Sequence, residues 1–334
     1  MTQSRLVTTD RARLAISATL LALSLAGTSA CASAESDSGS SGDGAGETIT
    51  VEHAQGKTEV PVKPERIVSL DQTWSDALGE LDVDLAMAMH AKQLDSGGPW
   101  ASWKAEQEVT YDGLSASNTT ADHLEEISAA EPDLILAGYL PDEKTYDRLS
   151  EIAPTVGVIG DGVVNDWRET TKIAGEIVAQ KDQAEELVSD VEAQITKTRE
   201  DHPGLKGATG VFGQVSANGL AAATDEADPA NGFLSDLGIV IPDDIQAAGG
   251  DEGRAFISPE KIDLLNTDLM IMWPIGTDPT EITGWDKLSP VQNDTYVTAD
   301  VVSATAMSTP TVTSVPWALE ELAPVFTRID DLRK

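Results

Sequence analysis

The chain has 334 residues, enough for two domains of ordinary size, each able to bury its own core. It carries 57 acidic against 22 basic residues, a formal net charge of −35, which argues against holding nucleic acid or an anionic membrane surface through a basic patch. A single cysteine, Cys31, excludes an intrachain disulfide and a thiolate metal cluster, and the four scattered histidines, His53, His90, His123 and His202, give no zinc-site spacing.

Arg5, Arg11 and Arg13 flank the apolar run LAISATLLALSLAG (residues 14–27), which ends in small residues. A basic flank, an apolar stretch too short to span a bilayer and a small-residue cleavage region form an export signal, expected over residues 1–30. TSAC (residues 28–31) resembles a bacterial lipobox, in which the cysteine becomes the lipidated first residue of the mature chain; a cleaved signal with an incidental cysteine is the other reading. The segment ASAESDSGSSGDGAGE (residues 32–47) has no large apolar side chain to repay its ordering entropy, so residues 31–48 are expected to be an anchor site and flexible tether.

The folded part begins near Ile49. RIVSL (66–70) reads as a strand, TWSDALGEL as a short helix and VDLAMAM (83–89) as a second strand, whereas residues 91–107 read as a loop with two tryptophans. Strands at 133–137 and 155–159 with a helix at 142–149 complete an alternating β/α lobe over 49–164, the pattern of a parallel sheet with crossovers. From Trp167 to Ile195 apolar residues recur at helical spacing, which predicts a long helix, or a short one running into a long one, over 165–202. TGVFGQVS (209–216) restarts strand-like sequence, followed by a helix at 230–238, the loop PDDIQAAGGDEGRAF and the strand TYVTAD. A last helix opens near Ser314 and carries Pro324, which kinks or divides it. The expected fold class is α/β: two Rossmann-like lobes with mostly parallel sheets, 49–164 and 203–334, joined by a helical backbone.

One unit occurs twice. LEEISAAEPDLILAG (124–138) and PEKIDLLNTDLMIMW (259–273) each place a Glu near the start of a short apolar-periodic run, then an Asp, then a strand, at a constant offset of 135 residues. These two segments, with PERIVSL, WRETTKIAGEIVAQKDQAEELVSDVEAQI, WDKLSPVQNDTYVTAD and the closing VPWALEEL, resemble the substrate-binding lipoproteins of bacterial iron-siderophore, haem and vitamin B12 ABC importers, in the family order over residues 60–330. The resemblance implies a monomeric extracytoplasmic receptor, attached to the cell membrane by a lipid on Cys31. It would hold a preformed metal chelate between two lobes and deliver it to a permease dimer and its ATPase.

By the same resemblance, Glu125 and Glu260 are the surface acids, one on each lobe, that pair with permease arginines. Two carboxylates held apart can read the spacing between bidentate partners. A plainer role for both is helix capping, with Asp122 as cap and Glu125 as its partner, and Ser258 and Pro259 opening the second unit.

In a two-lobed binder the ligand contacts come from loops after strands. That criterion selects Trp74, Trp100, Trp103, Tyr139, Arg254, Trp273, Trp285 and Met307, a concentration of aromatics in a chain with 4% Phe, Trp and Tyr. Arg254 stands out as a cleft cation able to donate to a chelate's oxygens, with a surface salt bridge as its alternative role; Lys92 and Lys104 are weaker candidates. With one prominent cation, the expected cargo is a ferric siderophore of low charge, a hydroxamate or mixed-ligand type, rather than a triply anionic catecholate; haem and cobalamin stay open. No cofactor and no bare-metal site are expected. The contrasting class is a secreted two-lobed α/β enzyme, against which stand the absence of G-x-S-x-G, H-E-x-x-H and Walker motifs and of a second cysteine.

Overall fold

The computed structural model describes residues 47–334 apart from 93, 95–96, 101–102, 113–119, 161, 163, 226 and 250–252; the export signal, Cys31 and nearly all of the tether lie outside the described residues. An antiparallel hairpin that the sequence reading did not separate, β1 (Thr48–His53) and β2 (Gly56–Pro61), opens the first lobe. Then follow β3 (Ile67–Ser69), α1 (Gln72–Glu80), β4 (Leu85–Ala91), β5 (Ala105–Tyr111), α2 (Leu124–Ala129), β6 (Leu134–Leu136), α3 (Glu143–Ser150) and β7 (Thr155–Val156). The sheet runs β5-β4-β3-β6-β7 with every pairing parallel. Its inner strands are continuous buried runs because helices cover both faces. At the edge, β5 alternates or exposes its side chains, and so AEQEVTY reads as loop in sequence although it pairs as a strand.

The interlobe helix is two helices, α4 (Trp167–Ile177) and α5 (Lys181–Asp201). α4 starts with Trp167 in the core of the second lobe and ends with Ala174 and Ile177 in the core of the first; α5 starts there with Ala184 and returns with Val188, Val191 and Ile195 to the second. The reversal happens over three residues, with Ala179 at φ 57°. It requires a residue without a side chain at Gly175, where a Cβ would lie 2.3 Å from that of Ala184. The backbone is therefore a packed helical pair that crosses between the cores twice, with α5 about 32 Å long.

The second lobe contains β8 (Gly210–Ser216), β9 (Gly219–Ala223), α6 (Pro229–Asp236), α7 (Asp243–Ala248), β10 (Arg254–Ile257), β11 (Leu269–Ile275), α8 (Ser289–Gln292), β12 (Tyr296–Thr298), α9 (Val301–Ser308) and α10 (Ser314–Leu332). Its order, β10-β9-β8-β11-β12, repeats that of the first sheet, but β9 is antiparallel to both neighbours: a tight hairpin through Ala217–Asn218, closed by the Ser216–Gly219 pair, replaces the first crossover. The expected loop at 242–256 holds α7 and β10. α10 is one continuous helix through Pro324.

The echo is real at backbone level. The helical segments begin at Leu124 and Pro259 and the strands at Leu134 and Leu269, each pair 135 apart. The second helical segment is a 3₁₀ helix, Pro259–Leu265, with Lys261 outside helical geometry. Asp122 lies in a 3₁₀ turn, Thr120–His123, and α2 has no side-chain cap, so the capping role read for Asp122 is not formed.

The repeated aspartates do matching work. Asp133 accepts from the backbone N–H of Glu65 (2.7 Å) and Arg66 (3.0 Å), just before β3. Asp268 accepts from the Thr209 N–H (2.7 Å) and hydroxyl (3.0 Å), just before β8, and from the Arg333 Nη1 (2.8 Å). Each thereby sets the start of the neighbouring parallel strand. Asp133→Ala and Asp268→Ala are each expected to cost about 2 kcal/mol, read as a fall of several degrees in Tm; an unchanged Tm in either would show that water replaces the carboxylate.

Candidate functional site

The C-terminal ends of β3, β4 and β6 form one rim of the first lobe. There Asp71 caps α1, its Oδ1 accepting from the Thr73 N–H (3.0 Å) and the Asn165 Nδ2 (2.8 Å), while Asn165 Oδ1 accepts from the Ile159 N–H (2.8 Å). Burial pushes the Asp71 carboxyl up, partly offset by the bond from Asn165. Gly138, after β6, passes so close that a Cβ there would lie 2.3 Å from Asp71 Oδ2. Tyr139 follows and is 48% exposed, a large aromatic left open at the rim.

The second lobe supplies a row of side chains that register brings together. Phe256 pairs with Ala221, Ala221 with Gln214, and Gln214 with Trp273, so four neighbouring strands, β10, β9, β8 and β11, present these residues on one face. Arg254, paired with Ala223, lies two residues along β10 on the same face. This face also carries Phe212 and Ile271, which join the core under α9 and α10. Beyond that cover it opens: Phe256 is 70% exposed, Arg254 is exposed, and Gln214 and Trp273 are half-buried. The row is an apolar platform about 14 Å long from Phe256 to Trp273. Ala221 and Ala223 are buried within it, Gln214 offers an amide, and Arg254 adds a cation at its margin.

The remaining predicted contacts are distributed differently. Trp74 is fully buried in the first lobe because the first turn of α1 faces the sheet. Trp285, edge-on to Tyr296 with ring centroids 5.2 Å apart, and Met307 lie in cores of the second lobe. These three are packing residues, a correction to the sequence expectation. Trp103 is half-buried against Gly79 and meets the His90 ring edge-on at 5.2 Å. Trp100 is buried between the lobes, in an apolar cluster with Ala91 and Leu94 of the first lobe and Val302 and Ala306 of α9. Lys92 and Lys104 are exposed.

Phe256 and Gln214 were missed. The alternation of Arg254, Ala255, Phe256 and Ile257 was the available signal, too short to stand out from the loop before it. A second interlobe feature is a cavity of about 510 Å³ bounded by Ile159, Asn165 and Lys172 on one side and Asp228, Phe233 and Pro310 on the other. Among the described residues, no three His, Cys, Asp or Glu side chains converge as a metal site.

Glu125 and Glu260 are both exposed, one on each lobe. The Glu260 carboxyl is held below the usual range by its own backbone N–H and then by the Ser258 hydroxyl.

Two α/β lobes, crossed by a helical pair and each carrying an exposed aromatic, Tyr139 in the first and Phe256 in the second, have the architecture of a bilobed solute-binding protein. The model of the family described as "Periplasmic binding protein" matches residues 67–282, and the chain belongs to that family. It is 29% identical over 151 residues to the "Probable siderophore-binding lipoprotein YfiY" of Bacillus subtilis (strain 168), spanning 45% of this chain and 44% of that one, less than half its length. YhfQ of the same strain, assigned to the ABC transporter substrate-binding lipoproteins, is 25% identical over 266 residues, 73% of this chain and 79% of that one. The crystal structure of PiaA from Streptococcus pneumoniae TIGR4 in complex with ferrichrome superposes with a TM-score of 0.66 at 26% identity, covering 86% of this chain and all of that one.

Proposed function

We propose that this chain is an extracytoplasmic receptor that takes a preformed ferric siderophore between its lobes and delivers it to an ABC permease. The observation that carries this reading is the row Phe256–Ala221–Gln214–Trp273, exposed at Phe256 and partly open at Gln214 and Trp273, with Arg254 beside it, on a chain similar to the ferrichrome-bound PiaA. A neutral iron hydroxamate presents apolar linkers and carbonyl or amide groups. Aromatic ends, an amide and one guanidinium suit such a complex better than a trianionic catecholate, which calls for several cations. Tyr139 faces the same cargo from the first lobe. Lipidation of Cys31 would hold the chain at the outer face of the cell membrane, with residues 32–47 as its tether. Glu125 and Glu260 dock the loaded receptor on the permease, and the receptor acts as a monomer.

Tryptophan fluorescence tests the cargo. Titration with a ferric hydroxamate is expected to quench emission at submicromolar concentration, with a ferric catecholate, haem and cobalamin binding at least tenfold more weakly. Stronger binding of any of these three would reassign the cargo, and a flat response to all four would overturn the receptor reading.

A further inference from the structure

Besides the helical pair and the apolar cluster around Trp100, a buried carboxylate joins the lobes. Asp76 of α1 is 1% exposed, and its partners come from both lobes. Oδ1 accepts from Gln72 Nε2 (2.8 Å) in its own helix, while Oδ2 accepts from the hydroxyls of Thr311 (2.6 Å) and Thr313 (2.7 Å), which lie between α9 and α10. The Thr311 oxygen in turn accepts from the Ser314 N–H (3.0 Å); Ser314 Oγ accepts from the Thr311 N–H (2.8 Å) and donates to the Ala306 carbonyl of α9 (3.1 Å). A continuous buried chain of hydrogen bonds thus runs from α1 in the first lobe into the α9–α10 corner of the second. Pro310 and Val315, on either side of it, line the interlobe cavity.

Every donor to Asp76 is neutral. On α1 itself the other acids are Asp71, at the cap, and Glu80, whose charge adds to the repulsion. The face of α4 buried against this region carries Trp167, Thr170, Thr171 and Ala174, while Glu169, Lys172 and Glu176 of that helix are exposed and Arg168 is bonded to Glu192 and Asp236. β3 has no titratable residue, and β4 carries His90. Around the C-terminal end of α1 lie exposed Lys104 and, at the start of α5, Lys181 and Asp182; the charged residues of α10 begin only at Glu320.

We propose that Asp76, Thr311 and Thr313 form a proton-operated latch that holds the lobes together when the Asp76 carboxyl is protonated and loosens when it is ionised. Burial raises this carboxyl to about 7, against the bonds from Thr311, Thr313 and Gln72. Parting the lobes would hydrate it and return it towards the ordinary carboxylate value near ~3.9. The closed arrangement therefore binds the proton more tightly than the open one, so closure gains free energy as pH falls from about 7 towards ~3.9, and that gain is absent above about 7. Neutral hydroxyls can turn from donors to acceptors, so the protonated acid keeps partners in the closed state. The latch rests on the lobe interface alone and holds for any cargo.

The test is an interlobe distance measured by spin labels at Glu143→Cys and Glu321→Cys in a Cys31→Ser background. Between about pH 4.5 and about pH 8 the distance distribution of this parent is expected to lengthen or broaden progressively as pH rises and to level off above about 7. Asp76→Asn is expected to keep the low-pH distribution throughout. Thr311→Val/Thr313→Val removes two donors that favour ionisation, and its transition is expected to move up by about one pH unit. Retention of the full pH response in Asp76→Asn would overturn the latch. So would a parent whose distance does not change with pH, or an unshifted transition in the threonine variant.

Discussion

A Glu125→Ala/Glu260→Ala double variant is expected to bind its ferric chelate as tightly as the parent and to lose transport into permease-bearing proteoliposomes. Both acids are exposed, one on each lobe, and neither belongs to the platform on the second sheet. The chain positions them alike: each lies one residue into its helical segment in the first case and the second alike, 135 residues apart, ahead of strands that start at matching places. Their separation is therefore a property of how the lobes sit, and a permease that presents two arginine clusters can test it. Loss of both charge pairs should lower transport by about two orders of magnitude or more, with each single variant in between. The capping role makes the opposite forecast. Glu260 accepts from its own N–H and from Ser258, so a purely local function would appear as a lower Tm with transport intact. Unimpaired transport by the double variant would end the docking assignment.

The two roles differ in how far the sequence reveals them. Periodicity was enough for the buried parallel strands and the helices, since IVS, LAMAMHA and LIL are mostly apolar runs and α5 repeats its apolar residues from Ala184 to Ile195, about three turns. It failed where a reversal or an edge strand decides the geometry. The turn between α4 and α5 depends on Ala179 adopting a positive φ and on the close approach at Gly175, and neither alters helical spacing. Asn218–Gly219 is a recognisable hairpin signal, yet the expected strand stops at 216 and β9 beyond it was not assigned. Tryptophan position was legible only to the level of the loop. Trp74 and Trp273 both follow or end strands, yet the first turns into the sheet and the second lies on an open face. The aspartates of the repeated unit were visible as a motif. Their bonds to Arg66 and Thr209 were not, because those partners come from more than 55 residues earlier in the chain.

The platform leads to the other large effect. Trp273→Ala and Phe256→Ala each remove one aromatic end of a row whose middle is built from Ala221 and Gln214, and each is expected to weaken ferric hydroxamate binding by about tenfold or more. Arg254→Ala should act differently. A single cation beside a neutral complex orients it through hydrogen bonds, whereas a cation facing a trianionic complex supplies attraction that screens with salt. For a hydroxamate, the loss should be of similar size at low and high ionic strength; for a catecholate, it should shrink as salt is added. Trp74→Phe is the control, since Trp74 is fully buried in the first core: it should lower Tm and leave affinity unchanged. Affinity that survives both Trp273→Ala and Phe256→Ala would move the cargo off this face and towards the cavity between Asn165 and Phe233.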